Sequence, residues 1–197
     1  MAPNKDRLYV ALYPSGTVTV AAEQRRFDTG PIDSVASTDR QPSSTDNRFH
    51  WALLLGPKVE GSKPAKGMRY HIKNPLARGW VFEERELRDI RTTPNLLVRI
   101  MIGKVKSRSR LAKVLRKVPL VEGQADWRCR NWVAEAVAAL KADGKALGTA
   151  VLDWGEIERV AEQYAGEKIR AGRFTDVSQL FEPKPTWDML QGKETIA

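Results

Sequence analysis

The sequence contains very few residues capable of thiol or imidazole chemistry. Among its 197 residues there is one cysteine, Cys129, and there are two histidines, His50 and His71. A single cysteine excludes an intramolecular disulfide and a zinc site built from several thiolates, and it indicates a reducing, cytoplasmic setting. We expect no metal ion and no organic cofactor, so nucleophilic catalysis by a thiol must combine Cys129 with one or both histidines.

Two further absences narrow the class of protein. Neither GxGxxG nor GxxxxGK[ST] occurs, which excludes the phosphate-binding loops of many nucleotide-binding proteins. No run of about 18 apolar residues is present, so we expect no transmembrane segment. The first residues lack both the apolar run and the small-residue cleavage site of a secretory signal, and none is expected.

The chain carries a strongly positive charge. Lys and Arg number 33 and Asp and Glu number 24, so the net charge is 33 − 24 = +9. Hydrophobic residues make up 42% of the sequence, which excludes a wholly disordered chain. We predict a single domain spanning residues 1–197, because this length fits one domain.

One basic stretch contains seven cations and no acidic residue: Lys104, Lys106, Arg108, Arg110, Lys113, Arg116 and Lys117. The first interpretation is a patch that binds the phosphates of nucleic acid or of anionic lipids. The second is a surface that steers an acidic substrate or carrier domain. The pattern favours a third, a solvated helix face, because Leu111, Val114, Leu115 and Val118 supply an apolar side and no aromatic residues are interleaved for stacking.

Hydrophobic runs in the first half of the chain predict β-strands at 7–13, 17–20, 49–55, 67–73, 80–90 and 96–105. The run at 96–105 is the longest and predicts a central strand. Residues 21–48 are polar and contain two prolines, which predicts a mobile insertion loop. We expect residues 174–197 to form a C-terminal tail over the surface.

The second half of the chain changes to helical periodicity. Helices are predicted at 107–117, capped by Ser107 or Ser109, at 126–142, opened by Asp126 and stopped by Asp143-Gly144, and at 153–171, opened by Asp153 and closed by Gly172. Strands followed by helices predict an α+β fold, with an antiparallel sheet packed by helices.

Cys129 would be the third residue of its helix if Asp126 is the N-cap. Its sulfur would then lie near unpaired backbone N–H groups, with Arg128 alongside, a setting that lowers a thiol pKa and can hold an oxyanion. Cys129 also begins the apolar stripe of Trp132, Val133, Ala136, Val137 and Leu140, which is equally typical of a buried structural cysteine. Both interpretations stay open on geometry alone.

Each histidine lies in a predicted strand. His50 shares a face with Ala52 and Leu54, and we expect the Cys129 helix to pack on that face, which would make His50 a general base. A histidine in line with alanine and leucine is also typical of a core residue. If the two strands are neighbours, His71 can orient the His50 ring or polarise its second nitrogen. Trp127, beside the cysteine, is a candidate wall of a substrate groove.

Three segments, FHWALLLGP, GMRYHIKN and WRCRNWVAEAV, together resemble the lecithin-retinol-acyltransferase type of permuted papain-like fold. The wider clan includes NlpC-type peptidases and PPPDE deubiquitinating peptidases. In that group one strand carries His-Trp-Ala, the next carries a second His or another polar residue, and the nucleophilic Cys begins a later helix. The whole chain is also similar to an uncharacterised group of small fungal proteins with the pattern HWALL…YH.KN…CR.WV.

The resemblance covers roughly residues 49–140 and implies the roles of the site residues. Cys129 would be the nucleophile, His50 the general base and acid, and His71 the orienting third group. Gln124 would supply a side-chain oxyanion donor, as a residue shortly before the cysteine often does in papain-like enzymes, with Arg128 as a further substrate contact.

The chain departs from the acyltransferase pattern at three points. The gap between the two histidines is longer, Asn131 and Trp132 replace the His-Phe that follows the cysteine, and no hydrophobic anchor is seen, which argues against a lipid substrate.

The sequence therefore predicts a cysteine-dependent hydrolase or acyltransferase that works through a thioester on Cys129. An acyl or peptide-type substrate is expected, and an acidic or carrier-bound one would suit the positive charge. One alternative is a binding module of the same fold without catalysis. Another is a protein that binds nucleic acid or an anionic surface through residues 104–117.

Overall fold

The computed structural model describes residues 5–15, 48–61, 63–75, 79–93, 95–176 and 178–197. The predicted strand at 17–20 lies outside these ranges, and so does all of the predicted loop at 21–48 except Arg48.

Eight strands and three helices make up the described fold. The strands are β1 (Arg7–Pro14), β2 (Phe49–Gly56), β3 (Gly67–Lys73), β4 (Val81–Leu87), β5 (Val98–Val105), β6 (Leu147–Ala150), β7 (Thr186–Asp188) and β8 (Lys193–Ile196). The helices are α1 (Arg108–Leu115), α2 (Cys129–Asp143) and α3 (Trp154–Arg170), and a 3-10 turn spans Ser178–Phe181.

All eight strands belong to one sheet with the order β4-β3-β2-β1-β5-β7-β8, and β6 also pairs with β5. Every pairing is antiparallel except that of β5 with β7, which is parallel. The predicted α+β class and the central position of the strand at 96–105 are therefore confirmed in this coarse form.

The two faces of the sheet bury different residue sets. On the helix-covered face, Trp51, Leu53 and Leu55 of β2 pack in the core that contains the buried stripe of α2. On the loop-covered face, Ala52 and Leu54 pack in a smaller cluster with residues from the connecting loops. Alternate residues of β2 thus enter two separate cores, as the two-residue period of a strand requires.

Helix α2 begins later than the sequence predicts. Its N-cap is Arg128 and not Asp126, and the Oδ1 of Asn131 accepts a hydrogen bond from the Arg128 backbone N–H at 3.0 Å. The Asn131 side chain therefore satisfies a backbone N–H at the helix start, the function that the sequence assigned to Asp126. Cys129 is consequently the first residue of the helix, not the third.

The other predicted helix ends are confirmed. The Ser107 side chain caps α1, and the Asp153 Oδ1 accepts from the Glu156 backbone N–H at 2.8 Å to cap α3. Gly144 ends α2 with a φ of 62°.

The C-terminal segment contributes strands and is not only a surface tail. Strand β7 pairs in parallel with β5, the backbone N–H of Arg99 donates to the Pro185 carbonyl at 2.9 Å, and β8 completes a hairpin. The sequence did not predict these short strands, because the segment is polar and contains two prolines and because β5, the partner of β7, is distant in sequence. The short strand β6 was also missed.

Replacing Gly144 by alanine should lower the free energy of unfolding by about 1–2 kcal/mol, because a residue with a Cβ is strained at positive φ. No atom lies within 4 Å of a Cβ built at Gly144, so the loss reports the backbone conformation and not a clash. Urea denaturation measures it. Gly61→Ala, also with open space but without a positive φ, is the control and should change stability by less than about 0.5 kcal/mol; equal effects of the two changes would contradict the prediction.

Candidate active site

Both histidines belong to one hydrogen-bonded chain that crosses three adjacent strands. The Nε2 of His50 on β2 lies 2.9 Å from the Nδ1 of His71 on β3. The Nε2 of His71 lies 2.7 Å from the Oε2 of Glu83, which is directly opposite it on β4. The sequence suggested the His50–His71 contact but missed Glu83, because the register of β3 against β4 selects it from several glutamates of the strand.

The charges in this chain follow from burial and hydrogen bonding. Burial lowers the pKa of His50 to about 4, assisted by the repulsion that a protonated His71 would exert in acid and by the positive charge of Arg69. Burial also lowers the pKa of His71, although its hydrogen bond to Glu83 acts in the opposite direction. Hydrogen bonds from Lys73 and His71 lower the pKa of Glu83 to about 2. At neutral pH both imidazoles are therefore neutral and Glu83 is ionised.

These protonation states determine the tautomers. An ionised carboxylate only accepts hydrogen bonds, so the Nε2 of His71 carries the proton and donates it to Glu83. The Nδ1 of His71 is then an acceptor, and the Nε2 of His50 donates to it. No described residue donates to the Nδ1 of His50, so its lone pair makes it the basic atom of the chain.

Cys129 lies against the backbone of β2 beside His50. Its Sγ accepts a hydrogen bond from the Trp51 backbone N–H at 3.4 Å. This contact occurs where β2 still pairs with β1 but no longer pairs with β3, whose register covers only Leu53–Leu55 of β2. The thiol therefore enters the gap that opens between β2 and β3.

The face predicted for the Cys129 helix is wrong. Helix α2 packs on the face of Trp51, Leu53 and Leu55, whereas His50 lies on the opposite face, where its ring centroid is 6.0 Å from that of Tyr13. Sequence periodicity assigns residues to one of two faces but does not say which face a distant helix covers. Within the described ranges, no hydrogen bond joins Cys129 to His50.

Of the two thiol environments that the sequence left open, the structure shows the buried one. Burial raises the pKa of Cys129, while the N–H groups of Trp51, Arg130 and Cys129 itself and the charge of Arg128 act to lower it. Only 8% of the residue is exposed. The desolvation of the thiolate therefore outweighs the first turn of the helix, and the resting side chain is a neutral thiol.

The remaining candidate residues lie just before the helix. Trp127 is buried, its Nε1 donates to the Oε1 of Glu135 at 2.8 Å, and its ring contacts that of Trp80 edge-on at 5.6 Å. Arg128 is half-buried and acts on Cys129 through its charge. Gln124 is exposed, and its own backbone carbonyl accepts a hydrogen bond from the Trp127 N–H in the turn before the helix. The structure thus brings Trp127 and Arg128 to the cysteine helix and leaves Gln124 in solvent.

The basic stretch is partly neutralised. Arg108 pairs with Asp6, Arg110 with Asp143 and Arg116 with Glu84. The apolar side of the segment points inward, with Leu111, Leu115 and Val118 buried. These contacts agree with a solvated helix face anchored to the sheet and to α2.

Within the described residues, no three side chains of His, Cys, Asp or Glu converge in the way a metal site requires. No helix of the described part is both long and apolar enough to span a bilayer.

The chain belongs to a family of unknown function, DUF6914, whose pattern matches residues 5–196. No curated protein matches the chain. No solved structure matches it either.

The imidazole of His50 should remain neutral down to about pH 4. Because the unfolded chain binds a proton at His50 below about pH 6.5 and the native protein does not, the free energy of unfolding should fall as the pH drops from 6.5 toward 4. NMR titration of the imidazole signals measures the pKa directly, and His50→Gln assigns them. A His50 midpoint close to 6.5, the ordinary pKa of an exposed imidazole, would contradict the buried chain.

Proposed function

We propose that this protein is a cysteine-dependent acyl-transfer enzyme of the permuted papain-like type, a hydrolase or an acyltransferase. Cys129 is the nucleophile and His50 is the general base. The observation that carries the proposal is the chain from Glu83 through His71 to His50, which leaves the Nδ1 of His50 as its basic atom. This atom belongs to the residue next to Trp51, whose backbone N–H holds the sulfur.

The proposed reaction begins with a proton transfer from the Cys129 thiol to the Nδ1 of His50. The thiolate attacks the carbonyl carbon of the substrate, and backbone N–H groups at the start of α2 stabilise the oxyanion. The tetrahedral intermediate collapses to a thioester as the leaving group takes the proton from His50. Water or another nucleophile, deprotonated by His50, then attacks the thioester, releases the acyl product and restores the thiol.

Glu83 is a positioning residue in this reaction, because its polar contacts among the described residues are with His71, Lys73 and Arg69 and not with Cys129 or His50. Its negative charge holds the proton on the Nε2 of His71, and this makes the Nδ1 of His71 accept from His50. When His50 becomes an imidazolium, the same chain stabilises its charge.

Catalysis requires the Nδ1 of His50 to approach the sulfur across the gap between β2 and β3. The substrate carbonyl enters this gap, because β2 has no β3 partner there. We propose an acyl or peptide-type substrate, and the net charge of +9 suits an acidic or carrier-bound one.

A second candidate is a binding module of the same fold that does no catalysis. The buried thiol with a raised pKa favours it, because a structural cysteine has these properties. The two candidates differ in whether the reactivity of Cys129 depends on His50.

Alkylation of Cys129 by iodoacetamide as a function of pH separates the two candidates. If the protein is an enzyme, His50→Ala should either shift the pH profile of Cys129 alkylation or lower the alkylation rate at least about tenfold relative to wild type. The reason is that the base assists removal of the thiol proton. Cys129→Ala is the control for labelling at other residues. A slow rate that is the same in wild type and His50→Ala would contradict the proposed function.

The change Glu83→Gln should reduce kcat by about 10- to 100-fold with little change in KM, since the amide can donate to His71 and reverse its tautomer. The bell-shaped pH profile should shift with it. The matched control is Glu84→Gln on the same strand, which removes the same charge. Glu84 pairs with Arg116, away from the histidines. Equal activities of the two variants would contradict the positioning role.

A further inference from the structure

A second concave site lies at the far end of the sheet from the histidines. It has a volume of about 570 Å³, and Tyr9, Arg99, Thr186 and Asp188 contribute to its lining. Arg7 lies at the edge of this pocket and at the start of β1, whereas Tyr13, which contacts His50, lies near the end of the same strand. The rise per residue of an extended strand puts these two positions roughly 20 Å apart. Nothing in the proposed acyl transfer uses this pocket.

The floor of the pocket is built from polar side chains that are hydrogen-bonded to their neighbours. Arg99 is completely buried, and its Nη1 and Nη2 donate to the two carboxylate oxygens of Glu60 at 2.7 and 2.9 Å. Its Nε donates to the Oγ1 of Thr186 at 3.0 Å, and the hydroxyl of Tyr9 donates to Glu60 at 3.3 Å. Asp188 accepts from backbone N–H groups of the turn that follows it. Arg99 and Glu60 therefore neutralise each other, while the Asp188 carboxylate keeps its negative charge and is held by neutral N–H donors.

The rim of the pocket carries three cations from three neighbouring strands or their ends. They are Arg7, Lys58 and Lys104. Arg7 on β1 is directly opposite Lys104 on β5. On the other side of β1, Arg7 is opposite Gly56 of β2, and Lys58 follows two residues later. Like charges that face each other across an antiparallel pair are destabilising. Repulsion between Arg7 and Lys104 is thus built into the sheet.

No carboxylate neutralises these three cations among the described residues. The acidic residues nearest in sequence are engaged elsewhere, Asp6 with Arg108 and Glu60 with Arg99. The Nη1 of Arg7 donates only to the backbone carbonyls of Lys5 and Asp6. The rim therefore concentrates uncompensated positive charge beside a cavity of the size that small-molecule ligands occupy.

We infer that this pocket binds a small anion with at least two negative charges, a phosphate ester or a polycarboxylate. The anion would bridge Arg7, Lys58 and Lys104 and remove their mutual repulsion, while the floor receives the uncharged part of the ligand. Charge-assisted hydrogen bonds from such side chains are stronger than those between neutral groups.

Isothermal titration of the full chain with pyrophosphate, and separately with citrate, at low ionic strength tests this inference. Binding of either probe is expected, and Lys104→Gln should weaken it by about tenfold or more. Pyrophosphate alone would indicate a phosphate ligand, citrate alone a carboxylate ligand, and both together their shared charge. Binding of neither probe would overturn the inference.

The stability of the ligand-free variant gives an independent readout. Because Lys104→Gln relieves the repulsion with Arg7, it should raise the melting temperature by roughly 1–3 °C while weakening anion binding. Lys113 is an exposed residue of helix α1 outside this pocket. Lys113→Gln removes the same charge and should leave anion binding unchanged. A lower melting temperature of Lys104→Gln, or an equal loss of binding in both variants, would contradict a built anion site.

Discussion

The separation of β2 from β3 is the constraint on which the candidate active site depends. Beyond Leu53 the two strands are no longer paired, and the Trp51 backbone N–H, which a neighbouring strand would otherwise satisfy, donates to the sulfur of Cys129. A buried N–H group needs an acceptor, and the sulfur of Cys129 provides it for Trp51 where β3 does not. The same opening leaves room for the His50 and His71 rings to meet on the other face.

Much of the fold could be predicted from local patterns. The strand at 96–105, the Ser107 and Asp153 caps and the Gly144 stop depend on residues close in sequence, and all are confirmed. The strands that the sequence did not predict are β6 and β7, which pair with the distant β5, and β8, which pairs with β7. Strands β6, β7 and β8 are short and gain their stability from pairing within the sheet, which no local periodicity reveals.

The candidate site shows the same division. The sequence singled out Cys129, His50 and His71 as candidates for thiol chemistry, because it contains so few cysteines and histidines. It could not place Glu83 opposite His71, since register is set by the hairpin, and it assigned α2 to the wrong face of β2. The helix start moved from 126 to 129 because Asn131 caps from within the first turn, and burial, not the helix end, controls the thiol pKa.

The proposed function requires Cys129 to become acylated with the help of His50. The most direct measurement is the intact mass of the protein, followed by peptide mapping, during reaction with an activated ester. We expect a transient single acyl adduct on Cys129 that is absent in Cys129→Ala and forms at least about tenfold more slowly in His50→Ala. Acylation confined to lysines, or an adduct on Cys129 that forms at the same rate without His50, would contradict it.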